Sequence, residues 1–130
     1  MANRQILNKM PSKENLPTNA QIVKFQMLNE LADSIYTEMK EFAKKKPDDP
    51  LNKFKVKNIN RVLSQLKEFL KDEPTIDFLD HLDDESLPSN SDAILIIGQF
   101  KASMDNFRNK YTNQYRRWRT VENPQGKAVE

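Results

Sequence analysis

The sequence has no cysteine, one histidine and only two glycines among its 130 residues. The lack of cysteine excludes a disulfide scaffold, a cysteine-ligated zinc or iron–sulfur site and a cysteine nucleophile. Two glycines leave almost nothing for phosphate-cradling loops or tight hairpins. A nucleophile activated by a base and a third orienting group has few residues from which to form. We therefore expect a protein that is not an enzyme and that carries no cofactor.

Long apolar runs are also missing. The longest one, Ala93 to Gly98, is far shorter than the roughly 20 residues that a membrane-spanning helix needs. Residues Met1 to Met10 contain no apolar core of a secretory signal. The sequence therefore predicts a cytoplasmic protein with no membrane partner. Its length suits one domain, since domains usually contain about 100–150 residues.

Apolar residues at alternating spacings of three and four predict a long first helix over residues 19–46. Thr18 or Asn19 can cap its start, and Pro47 stops its propagation. A shorter second helix is predicted over about 55–71. The apolar stripe of the first helix consists of Phe25, Leu28, Ala32, Ile35, Met39 and Phe42.

The second half of the chain predicts a short helix over 75–82 and a long one over 90–119. Ser89 is the expected cap of the long helix. Four consecutive apolar residues from Ile94 to Ile97 predict that the start of this helix is covered on all sides. Its stripe, at spacings of four and three, consists of Ala93, Ile97, Phe100, Met104, Phe107, Tyr111, Gln114 and Trp118.

Together these patterns predict an all-α fold, a small helical bundle with two long helices and two shorter ones. Residues 18–120 form the bundle in this interpretation. Residues 1–17 are predicted to be a flexible N-terminal arm, and residues 121–130 a flexible C-terminal tail. The pattern leaves open whether the two long helices run parallel or antiparallel.

Charge is separated along the sequence, although the net charge is only +2. Residues 72–92 contain eight acidic side chains and no lysine or arginine, whereas residues 101–119 contain six basic side chains and one acid. The net charge argues neither for nor against a nucleic-acid partner. The separation predicts one acidic and one basic surface.

The basic segment from Phe107 to Arg119 mixes cations with aromatic rings. Such a mixture can simply continue the core stripe, can form the centre of a protein interface, or can bind single-stranded nucleic acid. The candidate interaction residues are Arg108, Lys110, Tyr111, Tyr115, Arg116, Arg117, Trp118 and Arg119.

The acidic segment has no pattern typical of a metal site. His81 lies among carboxylates, but the glycine that an EF-hand requires is absent, so no metal site is predicted. The segment can be a solvated face, or a surface presented to a basic partner as an inhibitor would present it. The residues of this candidate surface are Asp77, Asp80, Asp83, Asp84 and Glu85.

The sequence therefore predicts a non-enzymatic binding module that acts through protein–protein interaction, with a second copy of itself among the candidate partners. Apolar surface on overhanging ends of the two long helices would drive this association. One alternative is a nucleic-acid-binding or accessory protein that uses the basic aromatic C-terminal helix and residues 44–57. A second alternative is an inhibitor-like protein that presents the acidic segment 72–92 to a basic partner.

Overall fold

The computed structural model describes residues 15–128, and within them the chain forms three α-helices and one 3-10 helix. In that range no β-strand occurs, so the predicted helical class is confirmed and the predicted set of four helices is not. The first fourteen residues, and with them most of the predicted arm 1–17, lie outside the described residues. The elements are α1 (Asn19–Lys45), α2 (Lys53–Phe69), the 3-10 helix (Pro74–Phe78) and α3 (Asn90–Lys110).

Helix α1 begins where the sequence predicts and ends at Lys45, one residue before the predicted boundary. The Gln21 amide donates to Thr18 Oγ1 over 3.1 Å, and the Thr18 amide donates to Gln21 Oε1 over 2.8 Å. This reciprocal capping box satisfies two amides that the first turn leaves without helical partners. Lys44 and Lys45 occupy the last turn, where positive charge interacts favourably with the helix dipole.

Helix α2 is offset by two residues from its predicted bounds. Asn52 caps it by accepting a hydrogen bond from the Lys55 amide over 2.8 Å. Val56, Ile59, Leu63 and Leu66 are buried at spacings of three and four, so one face of the helix packs into the core.

Helices α1 and α3 run antiparallel, because residue numbers rise along one as they fall along the other at their contacts. The Phe25 ring stacks on Phe107 with centroids 5.4 Å apart, and Asn90 Nδ2 donates to the Lys46 carbonyl over 2.8 Å. Between these points a Cβ atom placed on Gly98 would lie 3.7 Å from Tyr36 Cε1, an ordinary packing distance. Lys44 to Lys46 therefore lie at the opposite end of the bundle from the C-terminal basic segment.

Helix α2 is also antiparallel to α1. Lys55 Nζ lies 3.7 Å from the centroid of the Phe42 ring, and the Phe69 centroid lies 6.1 Å from that of Phe25. Two helices that are each antiparallel to α1 are parallel to one another. The connection 70–89, which we call the strap, must therefore return along the length of the bundle.

The strap explains why the predicted helix over 75–82 is wrong. Extended backbone advances about 3.3 Å per residue and an α-helix only 1.5 Å, so a connection that spans the bundle favours extended chain. The single short 3-10 turn ends at Phe78, and Leu79 and Leu82 are buried from irregular backbone beyond it. The Asn60 side chain fixes this part by donating to the Leu82 carbonyl and accepting from its amide, each over 2.9 Å.

Helix α3 starts as predicted but ends nine residues earlier than the predicted boundary of 119. Ser89 caps it by accepting from the Asp92 amide over 3.1 Å. Leu95 is 64% exposed, so the expectation that the start of this helix is covered on all sides is also wrong. Ala93 and Ile97 are fully buried, which shows that only one side of this apolar run enters the core.

Aromatic rings close the end of the bundle where α1 begins and α3 ends. Phe25 lies at their centre, fully buried, and the Trp118 ring meets it edge-on with centroids 5.1 Å apart. Residues 120–128 return to this end, where the Val121 amide donates to the Pro17 carbonyl over 2.9 Å and the Asn19 amide donates to Glu122 Oε1 over 2.9 Å. The flexibility expected for residues 121–130 stays a prediction.

Candidate binding surfaces

The predicted C-terminal helix is replaced beyond Lys110 by a compact loop, residues 111–119, which we call the Tyr–Arg loop. Tyr111 ends α3, and Thr112 and Trp118 form an isolated antiparallel bridge. The Asn113 amide donates to the Arg117 carbonyl over 2.9 Å, which closes the loop. The helical spacing of Trp118 is thus misleading, because the chain reverses and brings this ring to the aromatic cluster from the other direction.

Asn113 organises the Tyr–Arg loop through its side chain. Its Oδ1 accepts from the Tyr115 amide over 2.9 Å and from the Arg117 amide over 3.1 Å. Its Nδ2 donates to the carbonyls of Gln125 and Gly126, each over 3.0 Å. Asparagine favours turns because its short side chain can bond to nearby backbone in this manner. This is the signal in the sequence that marks the end of α3, and the helical interpretation missed it.

Three of the eight predicted interaction residues, Arg108, Tyr111 and Trp118, take part in packing, and the Tyr111 ring centroid lies 4.8 Å from that of Phe107. The Arg108 guanidinium lies 5.2 Å from the centroid of the Phe25 ring, within the range of a cation–π contact. Trp118 packs against both Phe25 and Phe107. These side chains therefore pack against the core, as the interpretation of the aromatic pattern as a continued core stripe predicts. The helix that was expected to carry the stripe to Trp118 is absent, because it ends at Lys110.

Lys110 and Tyr111 surround a buried carboxylate. Glu73, only 7% exposed, accepts from Lys110 Nζ and from the Tyr111 hydroxyl, each over 3.3 Å. Burial raises the pKa of Tyr111, and the negative charge of Glu73 adds to that rise. Burial acts to lower the pKa of Lys110, but its hydrogen bond to Tyr111 and the charge of Glu73 outweigh burial and raise it. The acidic and basic segments of the sequence therefore meet at this point.

Tyr115, Arg116 and Arg117 are exposed together at the tip of the Tyr–Arg loop. Tyr115 is 66% exposed, and the Arg117 guanidinium lies 5.3 Å from the centroid of its ring. Arg119, the last of the predicted interaction residues, is half-buried, and its Nε donates to the Pro124 carbonyl over 3.1 Å. The structure thus reduces the basic aromatic surface to three neighbouring residues on a braced loop.

The acidic candidates are all exposed on the strap, with Asp77 in its 3-10 helix and the others on irregular backbone. They are Asp77, Asp80, Asp83, Asp84 and Glu85. Asp83 accepts from the amides of Glu85 and Ser86, and these hydrogen bonds lower its pKa. Asp84 and Glu85 line a shallow cavity of about 460 Å³ together with the basic side chains of Lys53, Lys57 and Arg61. One end of the acidic surface therefore faces cations of its own chain.

The single histidine has an ordinary structural contact. His81 Nε2 lies 2.8 Å from Ser64 Oγ, which joins the strap to α2. Within residues 15–128 no three histidine, aspartate or glutamate side chains gather closely enough to hold a metal ion.

A groove between α1 and α2 was not among the predicted sites. The groove consists of two cavities of about 240 and 620 Å³ that share Ile35 and Asn58 in their lining. We call it the α1–α2 groove. Its remaining apolar lining comprises Leu31, Met39, Phe42, Phe54, Ile59 and Val62.

The apolar lining of the α1–α2 groove continues onto the open surface of α1. Val23, Met27 and Leu31 follow one another at a spacing of four and are all exposed. Phe54, at the other end of the groove, is 74% exposed. The sequence does contain the pattern, because these three α1 residues form a second apolar row beside the core stripe.

No helix within residues 15–128 combines the length and the apolar character that crossing a lipid bilayer requires. Comparison of the chain with protein-family models, with curated proteins and with solved structures found no match.

Proposed function

We propose that this protein is a non-enzymatic binding module that acts through protein–protein interaction, and that an amphipathic helix of a partner protein docks in the α1–α2 groove. The observation that carries the proposal is the apolar surface left open along α1, from Val23 through Leu31 to the groove beside Phe54. Contiguous exposed apolar surface usually marks an interaction site.

The dimensions of the groove suit a helix. From Leu31 to Phe42 its wall follows α1 for about three helical turns, or roughly 17 Å at 1.5 Å per residue. An amphipathic helix that lies in such a groove inserts side chains at spacings of three and four.

The charges at the groove indicate which helix it accepts. On α2, Lys55 and Arg61 lie beside the apolar lining, whereas Glu38 is the charged lining residue on α1. Since cations outnumber acids, a partner helix with an acidic polar face is favoured over a basic one. Such complementarity chiefly governs the choice of partner and the association rate.

Self-association through overhanging helix ends, as the sequence suggested, lacks its geometric basis. Helix α3 ends at Lys110, and the exposed apolar row lies on the flank of α1 instead of at a projecting end. A second copy of the chain could still cover that flank, so self-association is an outcome that the experiment distinguishes.

The test compares Leu31→Glu with Leu95→Glu. Both leucines are exposed on helices, but Leu95 lies on α3, outside the groove. The tagged wild type and both variants are incubated with nuclease-treated cell extract of the source organism, and the bound proteins are identified by mass spectrometry. We expect a partner that the wild type and Leu95→Glu retain and that Leu31→Glu loses at least tenfold, because a charge is then buried in the apolar contact.

A synthetic peptide of the partner's predicted acidic amphipathic helix should then compete for binding. Sedimentation velocity over a concentration series measures self-association of the same three proteins. If the wild type dimerises and Leu31→Glu abolishes the dimer, the occupant of the groove is a second copy of the chain and not a helix of another protein. Equal capture of the partner by both variants would contradict the proposed groove.

A further inference from the structure

The tip of the Tyr–Arg loop has an unusual backbone. Arg116 has a φ of 63°, the one non-glycine residue with positive φ among residues 15–128. It is the last of three loop residues between Asn113 and Arg117, the place where hairpins of this length adopt the left-handed conformation. Glycine is the residue that adopts it at least cost, whereas a side chain with a Cβ atom is strained there.

An arginine at a position that favours glycine contributes nothing visible to the stability of the loop. The loop is braced by Asn113, whose side chain holds the amides of Tyr115 and Arg117. Arg116 itself is exposed. Backbone strain of this kind tends to occur at binding and catalytic sites, where the side chain is needed in that place.

The neighbouring side chains form a chemically consistent surface. The Tyr115 ring is 66% exposed, and the Arg117 guanidinium lies 5.3 Å from its centroid. Arg116, between these two residues in the chain, is exposed as well. A cavity of about 600 Å³ adjoins the loop and is lined by Arg117, Trp118 and Lys127 among other residues. Arg117 thus contacts the exposed Tyr115 ring, lines the cavity with Trp118 and Lys127, and is preceded in the loop by the exposed Arg116.

We propose that the tip of the Tyr–Arg loop binds single-stranded nucleic acid, with a base stacked on Tyr115 and backbone phosphates held by Arg116, Arg117 and Lys127. Every base offers a π-face to an aromatic ring, and cations around the ring neutralise the phosphates on either side of it. A peptide with acidic side chains would use the cations and leave the ring without a matching group. This site lies outside the α1–α2 groove and does not depend on the function proposed for it, although Val23 of the exposed α1 row also lines the cavity beside the loop.

The test measures the fluorescence anisotropy of labelled oligothymidylate over a series of salt concentrations. Arg116→Gly removes one cation and relieves the strained backbone. We expect its affinity to fall about tenfold and the slope of log affinity against log salt to decrease by about 0.7, the value for one phosphate contact of a single strand. Its melting temperature should rise or stay equal, so that the loss of binding cannot result from unfolding.

Two further substitutions separate stacking from charge. Tyr115→Phe should bind as the wild type does, and Tyr115→Ala should bind about tenfold more weakly, because only the ring stacks. Lys45→Gln, an exposed cation at the opposite end of the bundle, serves as the matched control and should leave the affinity unchanged.

Three results would overturn the proposal. They are absence of binding by the wild type at low salt, equal affinity of Arg116→Gly and wild type, and equally effective competition by a polyglutamate peptide. The last of these would assign the site to acidic protein segments.

Discussion

Helix α1 presents one side to α3 and another to α2, and the two interfaces differ in how completely they are closed. On the α3 side, Phe25 stacks on Phe107, Gly98 lets the Tyr36 ring lie close, and Lys101 pairs with Asp33. On the α2 side, cavities remain along the interface. The difference shows that the α3 side of α1 is closely packed, whereas the α2 side leaves apolar surface exposed beside its core contacts.

The largest effect that distinguishes the two sides should come from a matched pair of phenylalanines. Phe107→Ala removes a buried ring that contacts Phe25, Phe69 and Trp118, and we expect a loss of about 3–5 kcal/mol in the free energy of unfolding. Phe54→Ala, in the groove, should change it by less than about 0.5 kcal/mol. Urea denaturation measures both, and similar losses for the two variants would show that the groove is closed in solution.

A smaller effect is expected at Gly98, on the closed side. A Cβ atom there would make ordinary contact with Tyr36, so Gly98→Ala should gain about 0.5–1 kcal/mol from its better helix propensity. Gly98→Leu should instead cost about 1–3 kcal/mol, because the longer side chain overpacks the contact. Urea denaturation measures both variants. If Gly98→Leu left the free energy of unfolding unchanged, α1 and α3 would not be closely packed at this point.

The Glu73 contacts beside the end of α3 predict a dependence on pH. The pKa values of Lys110 and Tyr111 are raised in the folded state. Stability from both groups is therefore present at neutral pH, and it is lost as pH rises above about 10, where the unfolded groups titrate. Chemical denaturation across that pH range should show that the free energy of unfolding declines more steeply for the wild type than for Glu73→Gln, because the variant lacks the negative charge. Parallel curves of unfolding free energy against pH would contradict the role assigned to the Glu73 charge.

The smallest effect should come from the ion pair of Lys101 with Asp33. Because the carboxylate is largely exposed, Lys101→Met should cost less than about 1 kcal/mol, and that cost should shrink as salt is added. Thermal unfolding at low and high salt measures it. A larger, salt-independent loss would indicate that the contact of the Lys101 ammonium with the Tyr36 ring, whose centroid lies 5.5 Å from Nζ, dominates.

Much of the helical framework was predictable, since α1 and α2 follow an uninterrupted apolar period and are closed by good caps. Thr18, Asn52 and Ser89 all accept the hydrogen bonds that their residue types favour. The periodicity failed where the path of the chain through the tertiary structure, and not the local sequence pattern, decides the backbone conformation. Leu79 and Leu82 have helical spacing but are buried from a strap that must span the bundle.

The candidate sites were predicted only in part, for a related reason. The sequence contains the basic and aromatic residues of segment 107–119, but one asparagine side chain, that of Asn113, decides that those after Lys110 lie on a loop. The α1–α2 groove depends on how far two helices stand apart, which no local pattern records. Its apolar row from Val23 to Leu31 was available in the sequence, and the stronger core stripe concealed it.

The parallel arrangement of α2 and α3 also bears on how the chain folds. Helices α1 and α2 are joined by the short turn 46–52, so they can pair with little loss of loop entropy. Helix α3 docks only after the strap has travelled back along the bundle, which makes its contacts with α1 distant in sequence and correspondingly slow to form. We therefore expect the α1–α2 hairpin to collapse first, with the docking of Phe107 against Phe25 as the late event that sets the folding rate.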